Sequence, residues 1–255
     1  MPVPPPDNSA AALRSQLYEE GHHDECRQMC LKMLAGALPD PEHRAMYALL
    51  AWCHFRLHDV DKAHAAATQA VEGATDDQRW ARQCLAAVAV KRGDDEEFMR
   101  LAEILGDTLN VLNLRVARAI VNNDVLELTI PGLARQLAEL DTEGATSVQL
   151  GNLYNNAAWF TLKRSEEYDA LGFGWMFIAV GYYGDQNWHH RAGAHYRLYC
   201  MYQEYGLQLH ATAAIVTAAQ LWDEALQRDP DNATYRAKRD SCRLDADQRR
   251  AIPSL

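Results

Sequence analysis

The segment HHDECRQMC, residues 22–30, sets His22, Cys26 and Cys30 at i, i+4 and i+8, so on a helix all three lie along one face and offer soft ligands to a metal. The competing reading is packing. Cys26 and Cys30 hold the places that Ala63 and Ala67 hold 37 residues later, where small buried residues are wanted, and that reading is preferred. A second candidate is NWHHRAGAHYRLY, residues 187–199. His189 and His190 are adjacent, which turns them about 100° apart on a helix, and no HExxH pattern joins them, so stacking or solvation is expected rather than metal binding. GFGWMFIAVGYYG, residues 172–184, is rich in glycine, but it has an apolar helical pattern and no preceding strand of the kind a nucleotide fold requires; close helix packing accounts for it better. The acids of DDEE, residues 94–97, directly follow Gly93 and fit the first turn of a helix, where the dipole favours them, rather than acid–base catalysis. No P-loop, GxSxG or ordered set of nucleophile, base and orienting group occurs, and neither a metal nor a cofactor is expected.

The elements that would position these groups read as helices. An apolar fraction of 48% is enough for a continuous core, and Ala, Leu, Arg, Glu and Gln fill most segments while alternating strand patterns are scarce. The fold class is all-α. A formal net charge of -10 disfavours a phosphate-binding surface, so nucleic acid is not an expected partner, and the basic tail from Arg236 to Arg250 is interleaved with Asp240, Asp245 and Asp247. The six cysteines are dispersed without a CxxC pair, so neither a disulfide framework nor a zinc ribbon is indicated. MPVPPPDNSA lacks the apolar run of a signal peptide, and no stretch nears the roughly 20 apolar residues of a membrane span. A soluble, cytoplasmic protein without membrane insertion is expected.

Three segments align on their turns: LRSQLYEEGHHDECRQMCLKML, LAWCHFRLHDVDKAHAAATQAV and LAAVAVKRGDDEEFMRLAEIL. Each reads as helix, polar turn and helix, with the turns centred on Gly21, His58 and Gly93, which lie 37 and 35 residues apart. That period belongs to helical hairpins that bury their apolar faces only by stacking. Leu13, Leu50 and Leu85 recur before the turn; Cys26, Ala63 and Phe98, then Cys30, Ala67 and Ala102, recur after it.

These residues resemble the tetratricopeptide repeat. The fullest match is YQEYGLQLHATAAIVTAAQLWDEALQRDPDN, through Tyr202, Tyr205, Gly206 and Leu209 on a first helix and Ala218, Trp222, Ala225 and Pro230 on a second. A further match, YNNAAWFTLKRSEEYDALGFGWMF, rests on Tyr154, Ala157, Ala158, Ala170 and Gly174. The resemblance implies antiparallel hairpins stacked as a right-handed superhelix, an α-solenoid of five to six hairpins. Its expected divisions are an extended arm at 1–9, repeats at 10–106, an irregular helical connection at 107–145, repeats at 146–232, and a capping helix with tail at 233–255. Within the connection, a break is expected at Asn122-Asn123-Asp124, followed by a helix that Pro131 interrupts or starts. Asp229-Pro230 ends the last repeat because the residue before proline avoids helical geometry.

In the resembled family the first helices line a concave groove that binds peptides or partner helices. By spacing, the groove positions in the N-terminal repeats are Tyr18, Trp52, Phe55, Arg56, Gln83 and Lys91. Those in the C-terminal repeats are Asn152, Asn155, Trp159, Lys163 and Gln203. Packing of Trp52, Phe55 and Trp159 between hairpins is the alternative for the aromatics. A carboxylate clamp of the chaperone-binding subset is not carried over, since its places hold Ala11, Ser15 and Leu49. The expected function is a non-enzymatic adaptor or scaffold for a protein or peptide partner, with self-association as a further possibility. The alternative is an enzyme or small-ligand or metal-binding protein that uses the His-rich helix around 188–195, with His190 or His195 facing a pocket.

Overall fold

The computed structural model describes residues 9–18, 21–73, 78–106, 108–122, 128–164, 166–185 and 187–250. Every regular element among them is helical, and the chain divides into two compact units, Met1–Leu114 and Arg115–Leu255.

In the first unit, α1 (Ala10–Leu13) runs into a π-helical turn (Arg14–Tyr18), followed by α2 (His23–Leu34), α3 (Asp40–Arg56), α4 (Val60–Val71), α5 (Arg79–Arg92) and α6 (Asp95–Leu105). Consecutive helices pack on one another from α2 to α6. The first helices of successive hairpins also touch, α1 with α3 and α3 with α5, the next-but-one contact that stacking requires. The repeating positions are buried as a set: Leu13, Leu50 and Leu85 before the turns, and Cys26, Ala63, Phe98, Cys30, Ala67 and Ala102 after them. Small residues there let the helices approach closely.

The turns repeat as well. Gly21, His58 and Gly93 all have left-handed backbone, with φ of 91°, 63° and 69°. Gly accepts that conformation without penalty, whereas a side chain at His58 meets its own carbonyl. His58 is exposed, so His58→Gly is expected to stabilise the first unit by about 0.5–1 kcal/mol, read as a higher midpoint in a urea melt. An unchanged or lower midpoint would show that the imidazole contributes more than the strain it imposes. After two of these turns an aspartate caps the next helix: the side chains of Asp59 and Asp94 accept from the backbone N–H groups of Lys62 and Glu97. The acids at 94–97 therefore serve the start of α6, as their position implied.

The division between units falls within α7 (Leu109–Asn122), and α8 (Ile130–Glu139) follows. Pro131 starts α8 rather than interrupting it, with the Thr129 hydroxyl accepting from the Gly132 N–H as the cap. Residues 1–8 of the expected arm and residues 123 and 124 of the expected break lie outside the described residues.

The rest of the second unit contains α9 (Ser147–Leu162), a 3-10 turn (Glu166–Tyr168), α10 (Asp169–Tyr183), α11 (Trp188–Glu204), α12 (Gln208–Arg228) and α13 (Ala233–Arg250). Again each helix packs on the next, and α9 touches α11. The α11–α12 turn repeats the left-handed glycine of the first unit, with Gly206 at φ 68°. The glycine-rich stretch is helical, but only part of it serves close packing. A Cβ at Gly172 would meet Leu162 at 3.3 Å and the carbonyl of Ala158 at 3.5 Å, whereas Gly174 and Gly181 face open space. At the end of α12, Trp222, Ala225 and Leu226 are buried, Asp229 closes the helix, and the Asn232 side chain accepts from the Tyr235 N–H to open α13.

Candidate functional site

Four of the six candidate groove residues of the first unit, Tyr18, Trp52, Phe55 and Arg56, fall into one aromatic and cationic cluster. Trp52 and Trp80 stack at 6.1 Å, and the Trp52 Nε1–H donates to the Trp80 carbonyl at 3.0 Å. Tyr18, at the end of the π-helical turn, meets Trp80 edge-on at 6.0 Å, and Phe55 meets Trp52 edge-on at 5.7 Å. The Arg14 guanidinium lies 4.4 Å over the Trp80 ring. Arg56 donates from Nε to the Tyr18 hydroxyl at 3.2 Å. Burial raises the Tyr18 phenol above its ordinary range while Arg56 pulls it the other way; the same pairing lifts the Arg56 guanidinium, which stays charged.

The rings of Tyr18, Trp52 and Phe55 are half-buried, Arg56 and Lys91 are exposed, and Gln83 is buried at 7% exposure. Trp80 and Arg14 are the members that sequence reasoning missed. Trp80 lies ahead of the aligned segment, which begins at Leu85, and Arg14 was not singled out beside Leu13.

In the second unit Asn152, Asn155 and Trp159 are half-buried and gather around two residues not singled out from the sequence, Tyr183 and Arg197. The Tyr183 hydroxyl donates to Asn152 Oδ1 at 2.9 Å. Arg197 donates to the Asn155 carbonyl at 3.3 Å and to Asn156 Oδ1 at 3.2 Å, and its guanidinium lies 5.8 Å from the Trp159 ring. Lys163, exposed, sits 5.3 Å over the same ring. Burial raises the Tyr183 phenol and lowers the Arg197 guanidinium; each charge partly offsets the effect on the other. Gln203 donates to the Tyr199 hydroxyl at 2.7 Å, a contact within α11. These interactions tie α9 to α10 and α11, so much of this set holds the hairpins together.

The histidines at 189 and 190 are built into a stack. His190 lies parallel to Tyr183 at 5.2 Å, His189 packs 4.1 Å from His190 and 5.5 Å from Tyr235, and Tyr235 in turn meets Trp222 at 5.2 Å. The two imidazoles of α11 are thus held against tyrosine rings of α10 and α13. His195 is half-buried, and desolvation lowers its pKa, with Arg191 acting in the same direction.

Among the described residues, one group of metal-ligating atoms converges, and it is not His22, Cys26 and Cys30. Cys53 of α3 replaces His22: the Sγ atoms of Cys26, Cys30 and Cys53 all lie within 4.8 Å of one another, and all three residues are 0% exposed. Cys26 donates weakly to the Leu13 carbonyl at 3.8 Å. Hydrogen bonds from Cys30 and Cys53 hold the Cys26 thiol below its ordinary pKa, while the bonds to Cys26 push those two up. Cys84, buried apart from them, is pushed up to about 12 by desolvation. The 27-residue gap between Cys26 and Cys53 matches no metal-binding spacing, which is why the third sulfur was not legible before the hairpins were packed.

Consecutively packed helices with next-but-one contacts between first helices define an all-helical protein compatible with a helical repeat. No family model matches the chain, and no match is found among the curated proteins or the solved structures. No described helix is long and apolar enough to cross a membrane.

Proposed function

We propose that the chain is a non-enzymatic adaptor of the tetratricopeptide-repeat type, which binds an extended segment of a protein partner along the first helices of its hairpins. The observation that carries this reading is the Tyr18, Trp52, Trp80 and Arg56 cluster of the first unit. It combines half-buried aromatic rings with an exposed arginine, the composition that dominates binding hot spots. The Trp52 N–H is already committed to the Trp80 carbonyl, so a ligand would meet ring surface rather than a donor there. A guanidinium has five N–H donors, and Arg56 commits only Nε among the described residues; the remainder suit a carboxylate or backbone carbonyl of the partner. Lys91, exposed at the end of α5, would add a second cation.

The test is affinity purification from the native cell extract with the wild type, Trp52→Ala/Arg56→Ala and the single charge reversal Arg56→Glu. A stoichiometric partner should be recovered with the wild type and lost with both variants at unchanged helical content by circular dichroism. Arg56 is exposed, so its reversal leaves the core intact and separates binding from folding. Equal recovery with all three proteins would count against this surface as the groove.

A further inference from the structure

We propose that Cys26, Cys30 and Cys53 form a three-coordinate thiolate site for copper(I), a site independent of the groove. Packing explains why the places of Cys26 and Cys30 hold small residues, because Ala63 and Ala67 fill the corresponding places of α4 and are equally buried. It does not explain why sulfur stands at three converging places. Cys26 and Cys30, one turn apart, present their sulfurs from the same face of α2, and α3 packs against α2 so that Cys53 closes the triangle.

The dimensions suit a single ion. A metal–thiolate bond of about 2.3 Å places three sulfurs roughly 4 Å apart around a central ion, within the 4.8 Å limit seen here. The coordination number selects the metal. No fourth His, Cys, Asp or Glu joins the group among the described residues, and the shell around it is the apolar core of the first unit. Structural zinc sites are four-coordinate, whereas soft thiolates in a dry three-coordinate pocket favour copper(I). Cys26 lies close to the N-terminal end of α2, whose dipole supports thiolate there. Binding exchanges thiol protons for the ion; the protons pass to solvent and the metal keeps its oxidation state.

The test uses the reduced full-length chain, titrated anaerobically with copper(I) against a chromogenic chelator. One copper(I) per chain should bind, with three sulfur neighbours in X-ray absorption. Cys53→Ala and Cys26→Ala should each weaken binding by at least about 100-fold, beyond the 10–100-fold typical of losing an outer-shell partner. Cys242→Ala, in the second unit, should leave binding unchanged. Alanine is what the neighbouring hairpin carries at the place of Cys26, so that variant should retain its helical content, checked by circular dichroism. Equal affinity in the wild type and both alanine variants, or binding lost only in Cys242→Ala, would overturn the assignment.

Discussion

Ending the chain at Asp229, and so removing α13, is expected to lower the unfolding midpoint of the second unit by about 10–20 °C. The helix packs on Trp222, which is 3% exposed, and buries its own Cys242 and Ala246. Tyr235 packs on the Trp222 and His189 rings, Lys238 lies 5.0 Å over Trp222, and Arg243 reaches both oxygens of Asp223 at 2.9 and 2.7 Å. The ion pair is exposed and counts for little. Trp222 decides the outcome, since losing the burial of a tryptophan costs about 3–5 kcal/mol, to which the other apolar contacts add. Terminal helices of stacked arrays have this role because the last hairpin otherwise leaves one apolar face in water. Near-UV circular dichroism and limited proteolysis would follow the two units separately. A truncated chain whose second unit melts within a few degrees of the wild type would rule out a capping role for α13.

Two glycine-to-alanine substitutions on neighbouring helices should have opposite signs. At Gly151 of α9 a Cβ would sit 2.5 and 2.7 Å from the Cε1 and Cδ1 atoms of Tyr183. That ring is 1% exposed, tied to Asn152 through its hydroxyl and stacked on His190, so it has nowhere to swing without breaking both contacts. Overpacking of this kind costs up to about 3 kcal/mol, against about 1 kcal/mol gained by replacing a helical glycine. Gly151→Ala should therefore destabilise by about 2 kcal/mol. Gly174→Ala, in α10 where a Cβ meets nothing within 4 Å, should stabilise by about 1 kcal/mol. Urea melts of the two variants beside the wild type provide the comparison. Equal shifts of the same sign would show that Tyr183 does not hold α9 and α10 at the separation seen here.

The local elements were legible in the sequence because they depend on nearby residues. Gly21 and Gly93 marked turns, His58 was placed between them by the 37- and 35-residue spacing alone, and the structure gives all three left-handed backbone. Asp94 marked a helix start and Asp229-Pro230 a helix end, each through groups within a few residues of the boundary. The buried stripe of leucines and small residues followed from the period. What the sequence could not supply was which side chains meet across hairpins, since that depends on helix rotation and separation. Gln83 was placed on the groove by spacing, and packing buries it; Trp80, outside the aligned segment, became the centre of the aromatic cluster. His22 had the helical spacing to join Cys26 and Cys30, yet the third sulfur comes from Cys53 on the facing helix. Spacing along one chain sets the face a residue occupies, but only the packed neighbour determines what that face touches.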